Sequence, residues 1–254
     1  MEDEAPKLRI AGASSERERE LRRDFVDLFK RTPIPDDELL AQLGLYLNRQ
    51  TFSRILFLHE LYSQIVRVPG IVVELGVRWG QNLALFSTFR GMEEPFNHTR
   101  RVVGFDTFSG FPAPAPEDGE APIAAAGAYG VPEGYEDYLR EVLAYHEQES
   151  PLAHLEKFEL VKGDAVETVP RYLEERPETV IALAYFDFDL FEPTRAALEA
   201  IRPHLARGSV LGFDQLGSRN FPGETRAVRE VLGLESLRLR RSRYAAQASY
   251  AVLE

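Results

Sequence analysis

The chain has no cysteine among its 254 residues. That excludes a disulfide framework, a thiolate metal site and catalysis by a cysteine nucleophile. Positive charge is also short: 30 Lys and Arg stand against 41 Asp and Glu, a formal net charge of −11. A field of that sign repels phosphates and disfavours a nucleic-acid partner, a local basic patch aside. No apolar run approaches the roughly 20 residues that span a membrane. The opening MEDEAPKLR has neither the basic nor the apolar segment of a secretory leader. The chain is therefore expected to be cytoplasmic, with neither nucleic acid nor membrane as partner.

Two nucleotide fingerprints are missing as well. The dinucleotide turn needs G-x-G-x-x-G and the phosphate-binding loop needs G-x-x-x-x-G-K-[ST], and neither occurs. What does occur is Ile71-Val72-Val73, a β-branched run suited to a buried central strand, followed by Glu74, by Gly76 and Gly80, and by a helix beginning near Gln81. Glycines at such a turn let a ligand approach the backbone, and the helix that follows presents free N–H groups. The E-L-G-V-x-x-G turn resembles the first motif of S-adenosylmethionine (SAM) dependent methyltransferases, whose ligand carries no phosphate.

At 44% apolar and 28% charged residues, the sequence describes one α/β domain with a large core. Residues 1–14 are polar and aperiodic and are expected to form a disordered arm, and 15–68 a helical cap over a 69–254 core. In the cap, Ser14 or Ser15 precedes a helix with Leu21, Phe25, Leu28 and Phe29 on one face. A second helix is expected from Asp36 or Asp37 to Tyr46 and a third from Thr51 to Val66, with more apolar surface than one sheet edge needs. That excess predicts a homo-oligomer. Residues 112–151 form an insertion whose Pro/Gly/Ala opening predicts a mobile lid or a disordered loop, then a helix from Gly134 to Glu149. Leu237–Arg240 and Gln247–Leu253 read as a terminal hairpin. The nearby Arg238, Arg240, Arg241 and Arg243 read as surface pairs or an oligomer contact.

Acids recur at strand ends: Asp106 after R-R-V-V-G-F, Asp164 after F-E-L-V-K-G, Asp187 after V-I-A-L-A-Y-F and Asp214 after S-V-L-G-F. Ligands of open α/β sheets bind outside the carboxyl ends of the strands, where Asp106 is placed to accept ribose hydroxyls.

Five segments then occur in order: V-E-L-G-V-R-W-G-Q-N (Val73 to Asn82), G-F-D-T-F-S-G-F-P (Gly104 to Pro112), K-G-D-A-V-E-T-V-P (Lys162 to Pro170), D-F-D-L-F-E-P-T (Asp187 to Thr194) and G-F-D-Q (Gly212 to Gln215). Together they resemble the TylF/MycF, or macrocin-type, sugar O-methyltransferase family. The resemblance implies a Rossmann-like seven-stranded, mostly parallel sheet with a C-terminal antiparallel hairpin. It also implies SAM-dependent methylation of a deoxysugar hydroxyl on a glycosylated natural product, a small-molecule glycoside, assisted by Mg²⁺. By position, Glu74, Gly76, Val77, Gly80, Asn82, Asp106, Ser109, Asp164, Ala165 and Asp187 would bind SAM. Asp187, Asp214 and Gln215 would hold the metal, although the family usually has two adjacent aspartates where this chain has Asp214-Gln215.

A sugar hydroxyl is a weak acid and needs a proton acceptor. Asp189 is one candidate, its alternative being a cap for the helix near Pro193. Histidine is the usual acceptor. His98, His154 and His204 precede strands, at the far edge of the sheet, which leaves His146 in the insertion and, less well placed, His59 in the cap. The catalytic set is thus Asp187, Asp189 and His146. Two other readings stay open: a catechol-type phenolic O-methyltransferase, and a non-catalytic SAM-fold binding protein.

Overall fold

The computed structural model describes residues 15–245 and 247–254; the arm expected over 1–14 lies outside the described residues. A seven-stranded sheet of order β3-β2-β1-β4-β5-β7-β6 runs through the molecule. Strands β1 (Ile71–Leu75), β2 (Val102–Asp106), β3 (Phe158–Lys162), β4 (Ile181–Phe186) and β5 (Leu205–Phe213) are parallel, and β7 (Ser249–Val252) runs antiparallel between β5 and β6 (Arg240–Arg241). The strand order reverses between β1 and β4, which opens a crevice at their carboxyl ends. This is the SAM-dependent methyltransferase fold with the antiparallel C-terminal hairpin expected from the resemblance. Among the described residues no helix is long and apolar enough to cross a membrane.

Alternation along the strands builds two cores. Val72, Leu183 and Tyr185 face α3 (Arg49–Ile65) and α4 (Gln81–Glu93) through Phe57, Leu58, Leu61 and Phe86. Val73, Leu75, Ala184 and Phe186 face α6 (Ala165–Glu175), α7 (Phe191–Ile201) and α8 (Pro222–Val231) through Val169, Leu198 and Val228. Helix α3, expected as part of a cap, is therefore a layer of the core: Phe57, Leu58, Leu61, Tyr62 and Ile65 are buried. The helical cap proper is α1 (Glu16–Lys30) and the short α2 (Asp36–Leu39), which tightens into 3₁₀ turns over Leu40–Tyr46 where a longer helix was expected. Ser15 caps α1, through a reciprocal bond pair with Glu18, while Ser14 lies outside the described residues. Leu21, Phe25, Leu28 and Phe29 remain exposed, with Phe29 resting edge-on against Tyr46 at 4.8 Å.

The insertion departs from expectation. Its Pro/Gly composition suggested a segment too flexible to pack, yet Ala124 and Val131 are buried and the Asp118 side chain is pinned inside. Asp118 accepts from Phe191 N at 2.6 Å and from Ala115 N at 2.8 Å, capping the first turn of α7 from 73 residues away. Gly223 makes room for it, since a Cβ there would lie 2.0 Å from Asp118 Oδ1. The helix that follows, α5 (Tyr135–Gln148), lies against α4. Between them Arg90 and Lys157 both pair with Glu147, at 2.5 and 2.7 Å, with all three side chains almost wholly buried. At the chain end, β6 is two residues long and does not span the expected 237–240. Of the arginines there, Arg238 pairs with Glu254 at 3.5 Å and Arg240 lies over Tyr250.

Candidate active site

A cleft of about 310 Å³ opens at the carboxyl ends of the five parallel strands. The turn after β1 brings Gly76, Val77, Gly80 and Asn82; the end of β2 brings Asp106; the turn after β3 brings Asp164 and Ala165; β4 and β5 bring Asp187, Asp189, Asp214 and Gln215. The four strand-end acids thus meet around one cavity, as their local sequences suggested. Gly76 has φ 102°, and a Cβ on it would lie 2.3 Å from the Asp187 carbonyl oxygen, so glycine alone lets β1 and β4 end this close together. Strain collects here: of the five non-glycine residues with positive φ among those described, Arg78, Phe108, Tyr129 and Asp189 belong to loops bordering the cleft.

The carboxylates differ in what they already do. Asp106 accepts from Val77 N and Arg78 N at 2.7 and 2.8 Å through one oxygen and from Phe108 N at 2.6 Å through the other. Its first task is therefore to shape the β1 and β2 turns. Burial raises its pKa, against the pull of those three bonds. Asp164 accepts from Val166 N at 2.9 Å and is the N-cap of α6. Glu74 is wholly buried one residue inside β1, where the strand had been expected to end at Val73, and sits beneath the cavity without lining it. Neither of its oxygens has a formed hydrogen bond. Burial first, and the nearby Asp187 second, raise its pKa well above the ordinary carboxylate range, with Asn82 the main opposing neighbour.

The end of the cleft formed by β4 and β5 holds the densest charge. Burial and the neighbouring Asp214 push Asp187 up to about 7. Asp189 is buried, its Oδ1 has no partner, and burial with the charges of Asp187 and Asp214 raises its pKa well above the ordinary value. It does not cap α7: Leu190 is the N-cap residue, and Asp118 supplies the bond. On α8, Glu224 accepts from Gln215 N at 3.1 Å, and its pKa is likewise raised well above normal, by burial and by Asp189.

The sequence reading missed the groups that answer this charge. Arg54 of α3 donates from Nη2 to Asp214 Oδ1 at 2.8 Å and from Nη1 to Asp187 Oδ2 at 3.3 Å. Tyr185 donates its hydroxyl to the same Asp214 oxygen at 2.7 Å. Arg78 stacks on Tyr129 of the insertion, 4.9 Å from the ring centre. A signal for Arg54 existed, because it continues the buried stripe of Leu58, Leu61 and Ile65 at helical spacing. A tyrosine inside the otherwise apolar run Ile181–Phe186 was a second signal, since a buried hydroxyl needs a partner.

Besides Glu74, two expected site residues do not line the cavity. Ser109 is exposed on the turn after β2 and does not line the cavity. His146 faces α4, with Nδ1 3.5 Å from Thr88 Oγ1, because the register of α5 turns it toward that helix and away from the strand ends. Burial lowers its pKa. His59 pairs with Glu93 at 3.2 Å, also outside the cavity.

The set expected to hold Mg²⁺ does not fit the ion as arranged. The Arg54 guanidinium stands between Asp187 and Asp214, and Gln215 Nε2 donates to Asp214 Oδ2 at 3.2 Å. No group of three or more acids or histidines among the described residues is disposed to share a metal.

The profile of the macrocin-O-methyltransferase (TylF) family matches residues 50–233. Among solved structures, the calicheamicin methyltransferase CalS11 superposes with a TM-score of 0.92 at 46% identity, over 95% of this chain and 94% of that one. Its apo form, described as a TDP-rhamnose 3'-O-methyltransferase of calicheamicin biosynthesis, gives 0.84 at 43%, over 95% and 96%. The O-methyltransferase NovP, at 19% identity and a TM-score of 0.60 over 79% of each chain, shares the fold. A comparison with curated proteins found no match.

Proposed function

This chain belongs to the macrocin-O-methyltransferase (TylF) family, and from that premise we propose that it transfers the methyl group of SAM to a hydroxyl of a deoxysugar borne on a nucleoside diphosphate. The observation that carries the reading is the single cleft into which strand-end acids converge without a phosphate-binding loop. Asp106, Asp187, Asp189 and Asp214 line it, with Glu74 and Glu224 buried nearby, against two arginines, Arg54 and Arg78. That excess of buried carboxyl groups favours a cationic ligand, and SAM carries a sulfonium and an ammonium. A relative 43% identical over 95% of this chain is a TDP-rhamnose methyltransferase, which favours a sugar still on its nucleotide over the finished glycoside expected from sequence.

In this reading the Gly76–Gly80 turn holds the methionine end of SAM, Asp106 keeps the ribose side of the site in shape, and Asp164 with Ala165 borders the adenine. The sugar oxygen attacks the methyl carbon from the side opposite sulfur. The carbon–sulfur bond breaks, sulfur leaves with the electron pair as S-adenosylhomocysteine, and the hydroxyl proton passes to Asp189. Alignment of the two reactants supplies much of the rate, and a carboxylate of raised pKa is the stronger base. Magnesium has no step here, because Arg54 already bridges the carboxylates that would hold it.

The test is direct. Enzyme mixed with SAM and TDP-rhamnose is expected to release S-adenosylhomocysteine and a singly methylated TDP-sugar, followed by liquid chromatography and mass spectrometry, with catechol left untouched. Absence of SAM binding by calorimetry, or turnover of catechol alone, overturns the reading. Turnover only of a completed glycoside moves the acceptor to that later stage.

We also assign the exposed apolar face of α1 to a second copy of the chain. An isolated 15-residue helix is marginal in water, and Leu21, Phe25, Leu28 and Phe29 find little cover among the described residues. Light scattering at micromolar concentration is expected to give an even-numbered assembly that Leu21→Lys with Leu28→Lys dissociates. A monomeric wild type refutes it.

A further inference from the structure

The acceptor end contains a cation supplied by the protein itself. Arg54 reaches it from α3, whose inward face is fixed to the sheet by Leu58, Leu61 and Ile65, so the guanidinium is planted from a rigid element. Its two terminal nitrogens engage two carboxylates that end adjacent strands, Asp187 after β4 and Asp214 after β5. Asp214 is filled on both oxygens: Oδ1 takes Arg54 Nη2 and the Tyr185 hydroxyl, and Oδ2 takes Gln215 Nε2. A magnesium ion needs oxygens at about 2.0–2.1 Å in a near-octahedral shell. Reaching Asp187 and Asp214 together, it would have to enter beside the guanidinium that already holds one oxygen of each, and it would meet a like charge at close range. About a third of the Arg54 side chain is exposed (32%), so a path out toward the cleft mouth exists.

We infer that Arg54 is the resident cation of the acceptor site and that the Arg54 clamp and a divalent ion are mutually exclusive occupants of the space between Asp187 and Asp214. The planar fork of arginine matches two carboxylates at once, which a lysine ammonium cannot do. In this position the guanidinium performs the task that the family resemblance gave to a metal. It offsets part of the charge of Asp187 and Asp214 and leaves Asp189, whose Oδ1 is unpartnered, as the carboxylate able to take a proton. The departure at Gln215 falls into place: an amide there donates to Asp214, whereas a second aspartate would add a negative charge that one arginine could not balance.

The inference rests on the methyltransferase reading only for the name of the site, and its test measures ion binding, not turnover. Mn²⁺ is titrated into wild type, Arg54→Gln and Arg54→Gln/Asp187→Asn, with free Mn²⁺ followed by electron paramagnetic resonance, circular dichroism used to confirm the fold, and binding of S-adenosylhomocysteine measured separately. Arg54→Gln is expected to bind Mn²⁺ at least tenfold more tightly than wild type, and the added Asp187→Asn to return the affinity to the wild-type level. Equal Mn²⁺ affinity in wild type and Arg54→Gln, or no binding by a folded Arg54→Gln, overturns it. Should Arg54→Gln fail to fold, Arg54→Lys replaces it. Keeping the charge but not the fork, it is expected to bind Mn²⁺ about threefold more tightly than wild type, and an unchanged affinity counts against the clamp. Failure of the methyltransferase reading would look different: no S-adenosylhomocysteine binding, with the ion competition intact.

Discussion

Asp189→Asn lowers kcat by about 10²–10⁴-fold, the usual contribution of a positioned general base, while leaving the affinity for SAM within a few-fold. The side chain is buried at 4% exposure with one oxygen unpartnered, and an amide of the same shape fills the space but cannot accept the proton. The pH profile separates this from a structural defect. Burial and like charges raise Asp189 well above the usual carboxylate range and bring Asp187 to about 7. Wild-type kcat/KM should therefore climb with pH through neutrality as the cluster loses protons. The apparent pKa belongs to Asp187 and Asp189 together, not to one residue. In Asp189→Asn the residual rate loses most of that acid limb. Stability moves the other way. A carboxyl whose folded pKa is raised favours the folded state in acid and loses that contribution as pH rises through the folded value. At pH 8 the variant should thus melt no lower than wild type by calorimetry. A lowered melting temperature with the rate loss would reassign Asp189 to structure.

Glu147→Ala is expected to be the most destabilising single change away from the cleft. It leaves Arg90 and Lys157, 1% and 2% exposed, without the carboxylate that both engage. Removing one partner of a buried ionic group typically costs about 3–5 kcal/mol, because the charge left behind is uncompensated. In a domain of this size that lowers the melting temperature by roughly 6–20 °C. Glu147→Gln, which keeps a polar group beside Arg90, should lose less. The triple change Arg90→Met, Glu147→Leu, Lys157→Met should recover most of the loss, since apolar groups of similar volume replace the whole set. Differential scanning calorimetry of the series decides it, and a triple variant as unstable as Glu147→Ala would mean that the ions also fix the packing of α5 on α4.

The part of this molecule written locally in the chain was legible. Strand β1 running into glycines, and acids placed at the end of β2 and just after β3, β4 and β5, are short-range patterns, and the parallel sheet brings such ends to one edge whatever the details of packing. Arg54 was missed because its partners lie 133 and 160 residues away, and helical spacing tells which side of α3 it occupies but not what it reaches. His146 was misjudged for the complementary reason: its place in the insertion suggested proximity, while the rotation of α5 about its own axis settled the direction. The Pro/Gly stretch showed a backbone without regular structure and concealed an anchor, since one buried carboxylate, Asp118, fixes the segment. Glu74 ran against strand composition altogether, a fully buried acid in an apolar strand, and such violations gather at functional sites.

The bond from Asp118 to Phe191 N bears on attempts to change acceptor choice by chimera. The 112–134 segment contributes Phe111's neighbour Pro112 and Tyr129 to the cleft wall, and its carboxylate completes the first turn of the helix that follows Asp187 and Asp189. A donor segment transplanted from a relative must therefore arrive with an acid at 118 and find glycine at 223, where a methyl group would collide with that acid at 2.0 Å. Swapping the segment without this pair would untie α7 at its start, and the hybrid would lose the proton acceptor's footing along with the old specificity.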